Sequence, residues 1–236
     1  MKLGIMQPYF FPYLGYFSLI KNTDTFILLD EVQFIYHGWI ERNRILKPQK
    51  GWQYIRVPLQ KHSKETKIRN IYIKNDSDWK DLIIRQIEHY KKKAPYYDEV
   101  VLLIKKCLEI ETNNITCLNK NILERICEYL DIKCDIKIFS ELNLKIEEPK
   151  SADEWAVNIC KAYGQVDEYW NPEGGVNFFD REKYTKENID IKFLKMNLVN
   201  YDQRRLEFES HLSIIDVLMF NSKKEIMKML DNYIFI

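Results

Sequence analysis

The sequence predicts an α/β fold: a small, mainly parallel sheet of Rossmann-like character with helices on its faces. Three observations carry this. Short apolar runs (Leu3–Met6 and Phe26–Leu29) stop abruptly at polar groups, Gln7-Pro8 and Asp30-Glu31. Stretches with apolar residues at helical spacing separate the strand-like runs. The chain has 236 residues, 46% apolar and 14% aromatic, enough to bury a sizeable core. One domain, residues 1–236, is expected, with a helical segment at about residues 75–131.

The elements follow in order. Leu3–Met6 is a strand, and an aromatic loop with Pro12 and Gly15 leads into a helix and then the strand Phe26–Leu29. Trp52–Leu59 and Ile68–Ile73 read as a pair of strands, antiparallel, joined by the charged loop 61–67. Trp79, Leu82, Ile83, Ile87 and Tyr90 form a helical stripe that Ala94-Pro95 ends. Val100–Leu108 is a second helix, and Leu118, Ile122, Leu123, Ile126 and Leu130 mark a third. Asp135–Phe139 reads as a strand and Ser140–Lys150 as a polar linker. Ser151 and Glu154 have capping-box spacing before a helix that runs to Gly164, a C-cap. Tyr169-Trp170 is a short strand entering the turn Asn171–Gly175, and Ile189–Leu198 is a further strand. Leu212–Asn221 and Ser222–Tyr233 are two helices or one kinked helix.

Composition removes several classes. Thirty-six basic residues against thirty-five acidic ones leave a net charge of +1, so the footprint of a duplex-binding protein is missing. No run approaches about eighteen apolar residues, so no membrane span is expected, and no signal segment opens the chain. The five cysteines are odd in number and no pair has Cys-x-x-Cys spacing. A disulfide framework or zinc ribbon is not expected, and a reducing cytoplasm fits best. The residues identify no metal site and name no cofactor.

In open α/β sheets ligands bind at the carboxyl ends of the strands, so the strand-end residues are the first candidates. Asp30 would be a general base or an anchor for an amine or hydroxyl; otherwise it caps a strand-end turn. Gln7 and Gln33 would orient a substrate. His37, in the loop before Gly38-Trp39, would shuttle a proton or sit on the surface. Arg42, Asn43 and Arg44 combine two guanidinium groups with an amide, a set suited to phosphate or carboxylate; the other reading is a solvated face. Asn171 and Gly174 belong to a turn that would bring backbone amides to a ligand. Asp216 stands in an apolar run, three residues after Ser213. It is either the acid of a capping box or a site residue.

Some of these residues also carry a resemblance. Met6-Gln7-Pro8-Tyr9-Phe10-Phe11-Pro12-Tyr13-Leu14-Gly15-Tyr16-Phe17, Asp30-Glu31-Val32-Gln33 and Gly38-Trp39-Ile40-Glu41-Arg42-Asn43-Arg44 resemble the WbqC-like protein family. So do Asn171-Pro172-Glu173-Gly174-Gly175 and Leu212–Asn221 near the other end. Glu41 stands where the family typically has Asn. The resemblance implies a bacterial protein of surface-polysaccharide or related biosynthesis, linked to acyl or aminoacyl modification of amino sugars. The expected activity is therefore transfer of such a group to the amine of a nucleotide-linked sugar. Arg44 and Asn43 would hold phosphate or carboxylate, and Asp30 or His37 would take the amine proton. The segment Pro12–Ile20 is also similar to the His-x-Gly-His segment of nucleotidylyltransferases. It keeps Gly15, which is therefore a candidate binding residue, but neither histidine. A nucleotide-binding or nucleotidyl-transferring enzyme is thus an alternative, and a non-catalytic partner in a polysaccharide assembly complex is another.

Overall fold

The computed structural model describes residues 1–197 and 200–236. The chain opens with β1 (Lys2–Met6), α1 (Leu14–Asn22) and β2 (Thr25–Leu28). A two-stranded ribbon follows, β3 (Arg42–Leu46) and β4 (Trp52–Arg56), antiparallel with Arg44 opposite Tyr54. Three helices come next: α2 (Trp79–Ile87), α3 (Tyr97–Leu108) and α4 (Ile115–Tyr129). The main sheet resumes with β5 (Ile136–Ile138), α5 (Glu154–Tyr163), β6 (Glu168–Pro172), α6 (Arg181–Thr185) and β7 (Asp190–Met196). The chain closes with α7 (Ile214–Phe220), α8 (Lys223–Leu230) and β8 (Tyr233–Phe235).

The main sheet has the order β5-β2-β1-β6-β7-β8. Every pair is parallel except β7 with β8. This is a Rossmann-like α/β arrangement. The chain moves outward from β1 to β2 and β5, then returns to the other side of β1 at β6. The strand order therefore reverses between β1 and β6, the place where such sheets leave a crevice. Leu3 and Ile5 of β1 join Ile27, Tyr169 and α5 in one core, while Phe26, Trp170 and α1 belong to a larger core on the opposite face. Alternate strand residues thus face alternate layers, and burial of both faces explains why these strands read as unbroken apolar runs.

Several expectations are corrected. Trp52–Arg56 pairs with Arg42–Leu46, not with Ile68–Ile73. The latter opens as a 3-10 turn (Ile68–Asn70) and touches the other stretch only at the Leu59–Ile73 bridge. Periodicity missed β3 because two arginines and an asparagine occupy it. Ser151 and Glu154 form no capping box. The Glu154 carboxylate accepts from the Lys150 amide at 2.7 Å and from Lys183 instead. Glu225 and Ser222 form the reciprocal box at the start of α8, which separates α7 and α8 into two helices. The final residues leave the helix for β8, and the β7 strand ends at Met196; Leu198 of the expected strand lies outside the described residues. Gly164 is a C-cap as its position implies, with φ of +77°. The five cysteines are free.

Candidate active site at the strand ends

A cavity of about 1040 Å³ lies where the strand order reverses. Ile5, Met6 and Gln7 come to it from β1 and its end, Leu29 and Glu31 to Gln33 from just beyond β2, and Tyr169 and Asn171 to Gly175 from β6 and its turn. Trp39, Asn43 and Arg44 close one side, and Trp155 of α5 with Phe178 and Phe179 close another. Aromatic walls with a few convergent polar groups are the usual composition of a small-molecule site. Among the described residues no helix is long and apolar enough to cross a membrane. Nor does any group of three or more His, Cys, Asp or Glu side chains among them suit a metal ion.

Arg44 is the best-placed cation. Its guanidinium lies 5.3 Å from the Trp39 ring and 5.2 Å from the Trp52 ring. Its Nη2 donates to the His211 carbonyl at 3.0 Å, while Nε is buried with no partner among the described residues. Two aromatic faces hold the group in place, so little freedom is lost when it meets an anion. Across the cavity Glu31 accepts from Lys67 at 2.8 Å and from Arg69. Glu31 is almost covered while both cations are about half exposed. Tyr9 also faces the cavity, and burial raises its phenol above the ordinary range.

Six of the ten residues singled out from sequence line this cavity: Gln7, Gln33, Asn43, Arg44, Asn171 and Gly174. Two of these are largely committed to the protein. The Asn43 amide donates to the Phe10 and Phe11 carbonyls at 3.0 Å each, and its Oδ1 accepts from the Arg44 amide at 2.8 Å. Asn43 therefore folds the aromatic loop against β3 and holds no anion. The Asn171 amide donates to the Tyr169 hydroxyl at 2.7 Å.

The other four do not line it. Gly15 packs under the Tyr13 ring; a Cβ there would lie 2.5 Å from that ring and 3.0 Å from Met196. Its glycine serves close packing, not a phosphate. Asp30 is buried, and its carboxylate accepts from the Ser140 amide at 3.0 Å and the Ser140 hydroxyl at 2.7 Å. Burial raises its carboxyl, with the Ser140 hydrogen bonds opposing that rise. Asp30 thus brackets two strand ends and lies outside the cavity lining. His37 is exposed, has φ of +63° and offers the Arg42 guanidinium its own carbonyl. Ile35 and Trp39 of the same loop line the cavity, but His37 does not.

Asp216 is wholly buried and its carboxylate accepts three bonds: Tyr90 Oη at 2.7 Å, Tyr201 Oη at 2.6 Å and Gln203 Nε2 at 2.7 Å. Burial lifts its carboxyl to about 6 against those bonds. It is neither a ligand contact nor half of a capping box. Ser213 alone caps α7, accepting from the Ile215 amide at 3.2 Å.

Glu31, Lys67, Trp155, Glu173 and His211 line the cavity and were not singled out as its residues. For Glu31 a signal existed. Successive residues of an extended segment point opposite ways, so a buried Asp30 turns its neighbour toward the open side. Nothing local marks His211, which reaches the cavity with φ of +55° from a loop distant in sequence.

The sheet order and the cavity at its reversal define a Rossmann-like α/β protein with a cavity at its strand ends. The chain belongs to the WbqC-like protein family, whose model matches residues 7–228. It is 30% identical over 223 residues to Rv1507c, described as an uncharacterized protein of Mycobacterium tuberculosis, with 93% of each chain covered. No solved structure matches it.

Proposed function

We propose that this protein is a transferase that adds an acyl or aminoacyl group to the amine of a nucleotide-linked sugar, in bacterial surface-polysaccharide biosynthesis. The observation that carries the reading is Arg44, an arginine clasped by two tryptophans and presented to a cavity of nucleotide-sugar size. A guanidinium so placed suits the phosphates of such a ligand, and the Trp39 and Trp155 indoles that line the cavity suit a base or sugar ring. Glu31, Glu173 and His211 surround the same space, and carboxylates suit a substrate amine. In the reaction the amine nitrogen forms a bond to the acyl carbon, and the bond from that carbon to its leaving group breaks. The proton the amine loses goes to one of these cavity-lining groups in place of Asp30 or His37. Family membership supports the pathway context. The nucleotidyl-transferring alternative has no comparable support, because Gly15 is covered by Tyr13.

Calorimetric titration with uridine diphosphate, a uridine-diphosphate amino sugar and its non-amino parent tests the reading. Binding of the amino sugar, weakened at least about tenfold in Arg44→Ala, is expected. Absence of binding to all three removes it.

A further inference from the structure

The segment after β5, expected as a linker, is a wall. The Phe139–Glu141 turn is tied to Asp30 through Ser140. The far end is tied to α5, where Asn158 donates to the Glu147 carbonyl at 3.0 Å and Lys161 pairs with Glu147 at 3.2 Å. Between these ties lies a groove of about 420 Å³. Phe139, Leu144, Ile146 and Trp155 give it an apolar floor, with Phe139 edge-on to Trp155 at 6.1 Å, while Ser140, Asn143 and Glu148 line it with polar groups. The groove is continuous with the main cavity, because Glu31, Lys67 and Trp155 line both. At that shared neck Glu31 is paired with Lys67 and Arg69.

We propose that this groove is the second subsite of the transferase, holding the apolar chain of an activated acyl donor. The donor's carbonyl lies at Lys67, facing the amine held in the main cavity. The inference rests on the transferase reading, since group transfer needs two substrates meeting at one point. The two spaces differ in the required way. One is larger and carries the Arg44 anion site, and the other is smaller, with an apolar floor, Lys67 and Glu31 at its mouth and the polar side chains of Ser140, Asn143 and Glu148 also lining it. The ties at both ends set the groove before any ligand arrives, which limits the ordering cost of binding. At the neck a carbon–nitrogen bond forms, the acyl carbon releases its leaving group with the bonding electron pair, and the amine proton passes to a cavity carboxylate or His211.

Straight-chain carboxylates of four to eight carbons are the probes, titrated against the full chain and followed by Trp155 fluorescence and calorimetry. Affinity is expected to rise about fourfold per methylene, the factor corresponding to about 0.8 kcal/mol per buried CH2. Leu144→Glu should abolish this length dependence, and Lys67→Gln should weaken every chain length by a similar factor. Arg44→Ala should change neither. The two variants alter partly or largely exposed positions, and circular dichroism checks their fold. Length-independent or unsaturable binding overturns the groove, as does an equal loss in Arg44→Ala, which would put the chain in the main cavity. Either result leaves the amino-sugar titration standing, so the two proposals fail separately.

Discussion

Two regions of this molecule each bury an aspartate a few residues from a cavity-lining side chain, and they use it differently. At the end of β2, Asp30 has one partner residue, Ser140, and joins two neighbouring strand ends. At the start of α7, Asp216 has three partners drawn from distant parts of the chain: Tyr90, Tyr201 and Gln203. In both, burial raises the carboxyl and hydrogen bonds resist the rise. In both, a nearby residue reaches the cavity in the aspartate's place, Glu31 beside Asp30 and His211 five residues before Asp216. The lesson is that an acid in an apolar stretch can serve as a bracket that aims its neighbours. The groups free to do chemistry are the ones that remain open to the cavity.

The comparison predicts unequal effects. Asp216→Ala leaves three donors without their acceptor, at about 1–3 kcal/mol for each buried group left unpaired. A loss on the order of 3 kcal/mol or more is expected in urea unfolding. A loss of only about 0.5–2 kcal/mol, that of a helix cap, would break the network reading. Asp216→Asn should also be costly, because its NH2 faces donors.

The pH dependence tests the same site. The folded carboxyl titrates at about 6 and the ordinary value is 3.8. Between these the folded state binds more protons than the unfolded one, so stability from this group is fully present below the lower value. It is lost as pH rises through the upper one. The full decline, spread over roughly pH 3 to pH 7, is on the order of 3 kcal/mol and should vanish in Asp216→Asn. Asp30, also raised, contributes with the same sign.

Arg44→Ala comes next, with a loss of about 1.5–3 kcal/mol in ligand affinity by calorimetry and a smaller loss of stability from its bond to the His211 carbonyl. A drop in melting temperature with unchanged affinity would make Arg44 a bracket like the two aspartates. Asp30→Ala should cost about 1–3 kcal/mol of stability and loosen the groove wall. Asp30→Asn, which keeps an acceptor for the Ser140 amide, should recover much of that and retain binding. If Asp30→Asn instead abolishes product formation in a stable fold, the bracket reading fails and the base returns to Asp30. The smallest effect belongs to His37→Gly. The residue is exposed with φ of +63°, so stability should change by less than about 0.5 kcal/mol and ligand binding not at all.

The central layers are legible in the amino-acid order alone. The apolar runs of β1 and β2 are buried on both faces, and an unbroken run is what such a strand requires. The helical stripes of α2 to α4 repeat at the period that puts one face in the core. The polar punctuation after β1 and β2 located the cavity, since strand direction alone fixes which end of a parallel sheet carries the ligand. Side-chain direction within that cavity was beyond it. Whether Asp30 or Glu31 faces the ligand depends on which one meets Ser140, a residue 110 positions away. The capping-box spacing of Ser213 and Asp216 was real, but three donors from other segments outcompete one local amide for that carboxylate. The ribbon strand β3 was hidden because Asn43 and Arg44 gain their places by bonding to the Phe10, Phe11 and His211 carbonyls, not by apolar alternation. Local patterns report which backbone a segment prefers. Which polar groups stay free to act is decided only when distant segments meet, because a buried charge takes whichever partners the tertiary structure brings to it.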